Sequence, residues 1–170
     1  MKFSDLLTQP FNENTGIIDL KTILSVTPNT PEQVAQQFYS DHGRKENFQS
    51  LYGKLNIEKI QWSLTHLRAA ELLNCSINKD FEPWVLSVSK RAQRFPEHGW
   101  RCIDSRKDVQ MHWANFGTWA VKPVLLSGPL AHTKKDLHLV EGHTRIGTLK
   151  GLISQGIISI NSTHEAWIGS

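Results

Sequence analysis

The sequence predicts an α/β protein, with α+β as the variant arrangement. A small mixed sheet is expected mainly from residues 119–168, covered by helices that include an N-terminal helical extension. Three observations lead there. Short apolar runs at Trp119–Leu126 and Leu137–Val140 have the length and composition of buried strands. The second run passes through Glu141-Gly142-His143-Thr144-Arg145 directly into a helical pattern. Finally, an apolar fraction of 39% with six Trp and seven Phe is enough for one domain with a sizeable core, and 170 residues is short for two.

Residues 1–16 are polar and turn-rich, with Pro10, Asn12, Asn14 and Gly16, and read as an irregular arm. A short strand is expected at Ile17–Leu20 and another at Ile23–Val26. Thr30-Pro31-Glu32-Gln33 has the form of a helix start, with Thr30 as cap and Pro31 in the first helical position, and the helix should reach Ser40. Gly43 follows in a suitable place to close it. Ile57, Ile60, Leu64, Leu67, Ala70 and Leu73 recur at three- and four-residue steps, which predicts a helix over 56–73. A second stripe, Trp84, Val88, Ala92 and Phe95, predicts a helix preceded by Asp80 as cap and Pro83, with a strand at 85–88 as the rival reading.

Residues 96–118 lose the pattern and read as a long connection with one helical turn at 108–113. In the following strand, Pro123 cannot donate a ladder hydrogen bond, which argues for an edge or a bulge. The helix from His143 to Gln155 should bury Ile146, Leu149, Leu152 and Ile153, stop at Gly156 and use Gly147 and Gly151 to approach a sheet closely. A last strand lies at 157–160 or 164–168. The domain plan is thus a single unit over 1–170: the arm, a mostly helical extension over 17–118, and a core over 119–170.

Charge is uneven along the chain. Residues 1–85 hold eight Lys/Arg against ten Asp/Glu and residues 86–170 eleven against six, so an anionic partner should meet the C-terminal half. Cys75 and Cys102 have no metal or cystine spacing and suit a reducing cytoplasm, the expected location. No stretch approaches the roughly 18 apolar residues of a membrane span, so no membrane partner is expected.

The chemistry concentrates at 141–145. A strand that feeds a helix N-terminus presents unpaired N–H groups, and those of Thr144, Arg145 and Ile146, the Thr144 hydroxyl and the Arg145 fork would suit phosphate oxygens. Gly142 permits close backbone approach, His143 can donate or shuttle a proton, and Glu141 can act as a base or hold a metal that accompanies a nucleotide. The competing reading has Glu141 and Thr144 cap the helix while Arg145 pairs with a neighbour.

This segment resembles the ParB/sulfiredoxin superfamily, and most closely the branch whose motif reads Asp/Glu-Gly-His-Thr-Arg, as in free-serine kinase. The likeness covers 137–168 well and extends to 119–168 if Trp119–Leu126 is the preceding strand. Sulfiredoxins have Gly-Cys-His-Arg at the comparable turn and the partition proteins Gly-Glu-Arg-Arg, in both cases around nucleotide phosphates. The resemblance implies binding of ATP or another nucleotide, with or without Mg²⁺, by Gly142, His143, Thr144 and Arg145. Glu141 and His143 are then the catalytic candidates, in an ATPase or a phosphotransferase acting on a small-molecule substrate. Glu32 matches loosely an acidic residue that the kinase branch places at an early strand-to-helix junction. Because His143 stands where sulfiredoxins have their reactive Cys, sulfinic acid reduction is not expected, and the chain ends at Ser170 without a helix-turn-helix segment for DNA partitioning.

The spacing of His132, His138 and His143 matches no zinc pattern, so no metal site is expected there. The basic run from Lys90 to Lys107, interleaved with Phe95 and Trp100 and diluted by Glu97, Asp104 and Asp108, reads first as a solvated face; read as a nucleic-acid track it fits the alternative function, a non-enzymatic nucleic-acid- or protein-binding module with a basic C-terminal half.

Overall fold

The computed structural model describes residues 1–170, and its framework is a four-stranded mixed sheet in the order β1-β4-β2-β3. The strands are β1 (Trp62–Arg68), β2 (Val124–Ser127), β3 (Leu137–Glu141) and β4 (Thr163–Gly169). β4 runs antiparallel to β1 and parallel to β2, and β3 runs antiparallel to β2. The helices are α1 (Leu20–Val26), α2 (Glu32–Val34), α3 (Glu46–Tyr52), α4 (Ala69–Leu73), α5 (Glu82–Ala92), α6 (Phe95–His98), α7 (Lys107–Phe116) and α8 (His143–Ser154). A π-helical segment, Ala35–Ser40, continues α2, and 3₁₀ turns occupy Phe3–Thr8 and Gly99–Cys102. No helix is long and apolar enough to cross a membrane.

Period-two alternation in the central strands divides the core into two layers. Val124, Leu126 and Val140 face a cluster made by the N-terminal residues, including Phe3, Phe38, Tyr39, Phe48 and Tyr52. Leu125, Leu139 and Ala166 face the opposite way, onto Leu72, Ile146, Leu149 and Leu152 of α4 and α8. The sheet is therefore covered on both faces, which explains why β2 reads as an unbroken apolar run: Val124, Leu125 and Leu126 are all fully buried.

Several expectations are corrected. The three- and four-residue spacing over 56–73 does not make one helix. Residues 62–68 form edge strand β1, and only 69–73 are helical. Its seven register partners on β4 lie about a hundred residues away, and this non-local pairing outweighs the local periodicity. Ile57 and Ile60 instead enter the N-terminal core, while Leu64 is exposed. The sheet consequently draws one strand from the segment expected to be a helical extension.

Ile18 makes only an isolated bridge to Phe11, and 20–26 is helix α1 capped by Asp19, so neither early strand exists. Pro31, not Thr30, is the N-cap of α2, and α5 is preceded by Phe81 with no side-chain cap. The expected turn at 108–113 is a full helix, α7, closed by Gly117 in the left-handed conformation. Pro123 precedes β2 and accepts from Trp167 N–H through its carbonyl, which allows an interior strand to follow it. The glycine pair on α8 does permit close approach, but to helix α5 and not to the sheet: a Cβ at Gly151 would lie 2.4 Å from the Ser89 carbonyl oxygen.

Candidate functional site

The turn at residue 142 is as tight as the sequence requires. β3 ends at Glu141, Gly142 adopts φ 110°, and α8 begins at His143. A side chain at Gly142 would be strained by that φ and would also collide with Pro123, whose Cβ is 2.6 Å from the position of an added Cβ. The α8 ladder opens with Ile146 N–H donating to the Gly142 carbonyl at 2.9 Å. The N–H groups of His143, Thr144 and Arg145 thus lie ahead of the ladder, and no side chain caps them. Over a helix of 12 residues their partial positive charge is reinforced by the aligned peptide dipoles.

Beside this turn lies a cleft of about 550 Å³, within the range of small-ligand sites. Glu141, Thr144, Arg145 and Thr148 line one wall, and Asp104, Arg106, Asp108 and His112 line the wall supplied by α7 and the residues just before it. Trp113 and Trp119, both buried, meet edge to face and contribute apolar surface.

Three of the five predicted residues line this cleft, and each is partly committed to the protein. Arg145 donates through Nη1 to the carbonyls of Val121 at 2.8 Å and Lys122 at 3.2 Å, and through Nη2 to Glu141 Oε1 at 3.3 Å. It therefore ties the segment before β2 to α8. Glu141 Oε2 lies 3.1 Å from His42 Nε2. Burial pushes the Glu141 carboxyl up, yet the His42 hydrogen bond and the Arg145 charge outweigh it and leave the pKa below its usual value. On Arg145 burial prevails and lowers the pKa, but a guanidinium remains protonated at neutral pH, so the two form an ion pair. Thr144 accepts a hydrogen bond from the Trp84 indole N–H at 3.0 Å and retains its own hydroxyl proton for a ligand.

His143 departs from its expected place. Its ring is buried against Phe81, with centroids 4.3 Å apart, and it does not line the cleft. Burial pulls its pKa down to about 4, so the imidazole is neutral, and its Nε2 has no hydrogen-bond partner. Helix geometry accounts for this: the first helical residue points its side chain back over the strand end, whereas Thr144 and Thr148, one turn apart, share the cleft face. Glu32 is exposed at the start of α2, after a helix and not a strand, and is absent from the cleft.

Arg106, His112 and Trp84 are cleft or neighbouring residues that sequence reasoning did not assign to this site, Arg106 being counted there in the basic run. The first two come from the segment read as a connection, and only tertiary packing brings α7 opposite α8. Arg106 is held by Asp104 through two hydrogen bonds, at 3.0 and 2.8 Å. No group of three or more His, Cys, Asp or Glu side chains is arranged to hold a metal ion. The cleft can offer a cation such as Mg²⁺ one or two carboxylates, which matches the way that ion binds when phosphate oxygens supply further ligands. Comparisons with models of protein families, with curated proteins and with solved structures found no match to this chain.

Proposed function

We propose that the protein binds a nucleotide, ATP or a related nucleoside phosphate, through the uncapped N-terminus of α8 in the cleft between α8 and α7, and acts as an NTPase or small-molecule phosphotransferase of the ParB/sulfiredoxin type. One observation carries this reading: the first turn of a 12-residue helix has no capping side chain and borders a cleft that holds two guanidinium groups. The backbone N–H groups of residues 143–145 and the Thr144 hydroxyl would hold phosphate oxygens, with Thr148 deeper on the same face. Arg106 faces them across the cleft, and Arg145 adds charge while it keeps its structural ties. Gly142 shapes the turn and gives room to Pro123, and does not itself line the cleft.

Bound nucleotide would supply the transferable phosphoryl group. Glu141, held ionised, is suited to accept a proton from an attacking hydroxyl or water, or to share a Mg²⁺ that accompanies the phosphates. His143 takes a packing role in this scheme, because it lies buried outside the cleft. The alternative, a basic nucleic-acid-binding module, has less support. Arg91 is bound to the Ile103 carbonyl, Arg94 is paired with Glu97 and Arg106 with Asp104.

Calorimetric titration with ATP, ADP and CTP in the presence of Mg²⁺ tests the proposal. Binding should weaken about tenfold in Thr148→Val and in Arg106→Ala, the loss of roughly one charge-assisted or hydroxyl contact. Absence of binding by all three nucleotides would remove it.

A further inference from the structure

A second cavity, of about 680 Å³, lies apart from the cleft just described. It sits at the other end of β3, between α3, residues 76–78 and the turn at 129–133. Its lining holds a continuous hydrogen-bonded chain: Ser76 Oγ is 2.9 Å from His138 Nδ1, and His138 Nε2 is 2.9 Å from the Tyr52 hydroxyl. Ser76 is fixed at the sheet edge by a parallel bridge to His138, with its N–H on the Leu137 carbonyl and its C=O accepting from Leu139 N–H. The backbone N–H groups of Ile77 and Asn78, which also border the cavity, donate to no protein acceptor. His132, on the facing turn, is the one residue other than glycine with positive φ, at 53°. Among the lining side chains there is no Asp or Glu, and Lys54 is the single Lys or Arg.

We propose that this cavity is an acyl-transfer site for small esters that carry an acidic group, with Ser76 as nucleophile and His138 as general base. The assignment is independent of the nucleotide cleft. Ser76 Oγ bonds to the ester carbonyl carbon while its proton passes to His138 Nδ1. The Ile77 N–H, on the residue after the nucleophile, occupies the sequence position from which such groups often stabilise the oxyanion. Collapse of the adduct breaks the ester C–O bond and the proton leaves with the alcohol. Water then attacks the acyl-Ser76, releases the acid and restores the hydroxyl. Burial lowers the His138 pKa, so its ring is neutral and able to accept a proton at pH 7. With Nδ1 as acceptor the ring hydrogen is on Nε2, and the Tyr52 oxygen receives it, which makes Tyr52 a positioning residue. Ser76 Oγ has one competing acceptor, the Leu137 carbonyl, at the longer distance of 3.3 Å.

The test uses the full chain with a fluorophosphonate probe, followed by mass spectrometry of the labelled peptide, and with hydrolysis of 4-nitrophenyl acetate and 4-acetoxybenzoate. Labelling at Ser76 is expected, with loss of labelling in Ser76→Ala and a fall of about 100-fold in labelling and hydrolysis in His138→Gln. Tyr52→Phe should retain labelling and shift the pH profile. Lys54→Ala should raise KM for 4-acetoxybenzoate and not for 4-nitrophenyl acetate. Thermal melts of each variant separate loss of chemistry from loss of fold. Labelling elsewhere, no labelling of a folded wild type, or hydrolysis unchanged in Ser76→Ala would overturn the assignment. An unchanged KM in Lys54→Ala would overturn its acidic-substrate part.

Discussion

The two ends of β3 differ in how they keep polar groups inside a folded chain. At the C-terminal end, Glu141 and Arg145 place formal charge beside a helix terminus, and their ion pair, the His42 hydrogen bond to Glu141 and the carbonyls of Val121 and Lys122 compensate it. At the N-terminal end, Ser76, His138 and Tyr52 satisfy one another as neutral groups, and burial holds both rings uncharged by lowering the His138 pKa and raising that of Tyr52. Two residues of one strand, Leu139 and Val140, thus separate a cluster of compensated charge from a neutral hydrogen-bonded chain.

Gly142→Ala should break the comparison hardest, because only the charged end depends on this turn. Positive φ and the collision with Pro123 together predict a loss of about 4 kcal/mol in chemical denaturation, with the nucleotide response abolished. Arg145→Ala comes next. It leaves Glu141 with one partner fewer and two carbonyls unpaired, at a cost of about 3 kcal/mol, and Arg145→Lys should recover only part because a single ammonium cannot reproduce the fork.

Acid should then sharpen the contrast. His143 has a pKa of about 4 when folded against 6.5 as its ordinary value, so below pH 6.5 the unfolded chain takes up a proton that the native chain does not. Stability contributed by this residue is complete above pH 6.5, falls as pH drops toward 4, and amounts to about 3 kcal/mol. Glu141, with its pKa lowered on folding, adds a further loss at still lower pH. Denaturation between pH 7 and 4 should show the decline, and His143→Phe should flatten it. The smallest effect belongs to Thr144→Val: loss of the Trp84 indole bond should cost about 1 kcal/mol and alter Trp fluorescence, with no effect on Ser76 labelling.

What was legible in the sequence is local. β3, the Gly142 turn and α8 follow from a short apolar run, a glycine and a helical stripe within about 20 residues, and all three are present close to their expected bounds. The α5 helix was likewise readable from its stripe and Pro83. The site around the turn was readable only in part. Glu141, Thr144 and Arg145 line the cleft there, whereas Gly142 packs on Pro123 and His143, adjacent in the motif, turns the other way because neighbouring helix positions project about 100° apart.

Sequence by itself determined that this chain turns from strand to helix at residue 142 and that a glycine-led helix start follows, since these depend on contacts among neighbours; that no side chain caps this start is seen only in the structure. Tertiary structure alone decided that 62–68 would be a strand, that α7 would close a cleft over α8, and that Ser76, His138 and Tyr52 would meet, because each needs partners tens of residues distant. The physical reason is that pairing and burial energies gained on assembly exceed the few tenths of a kcal/mol per residue by which local preference distinguishes helix from strand.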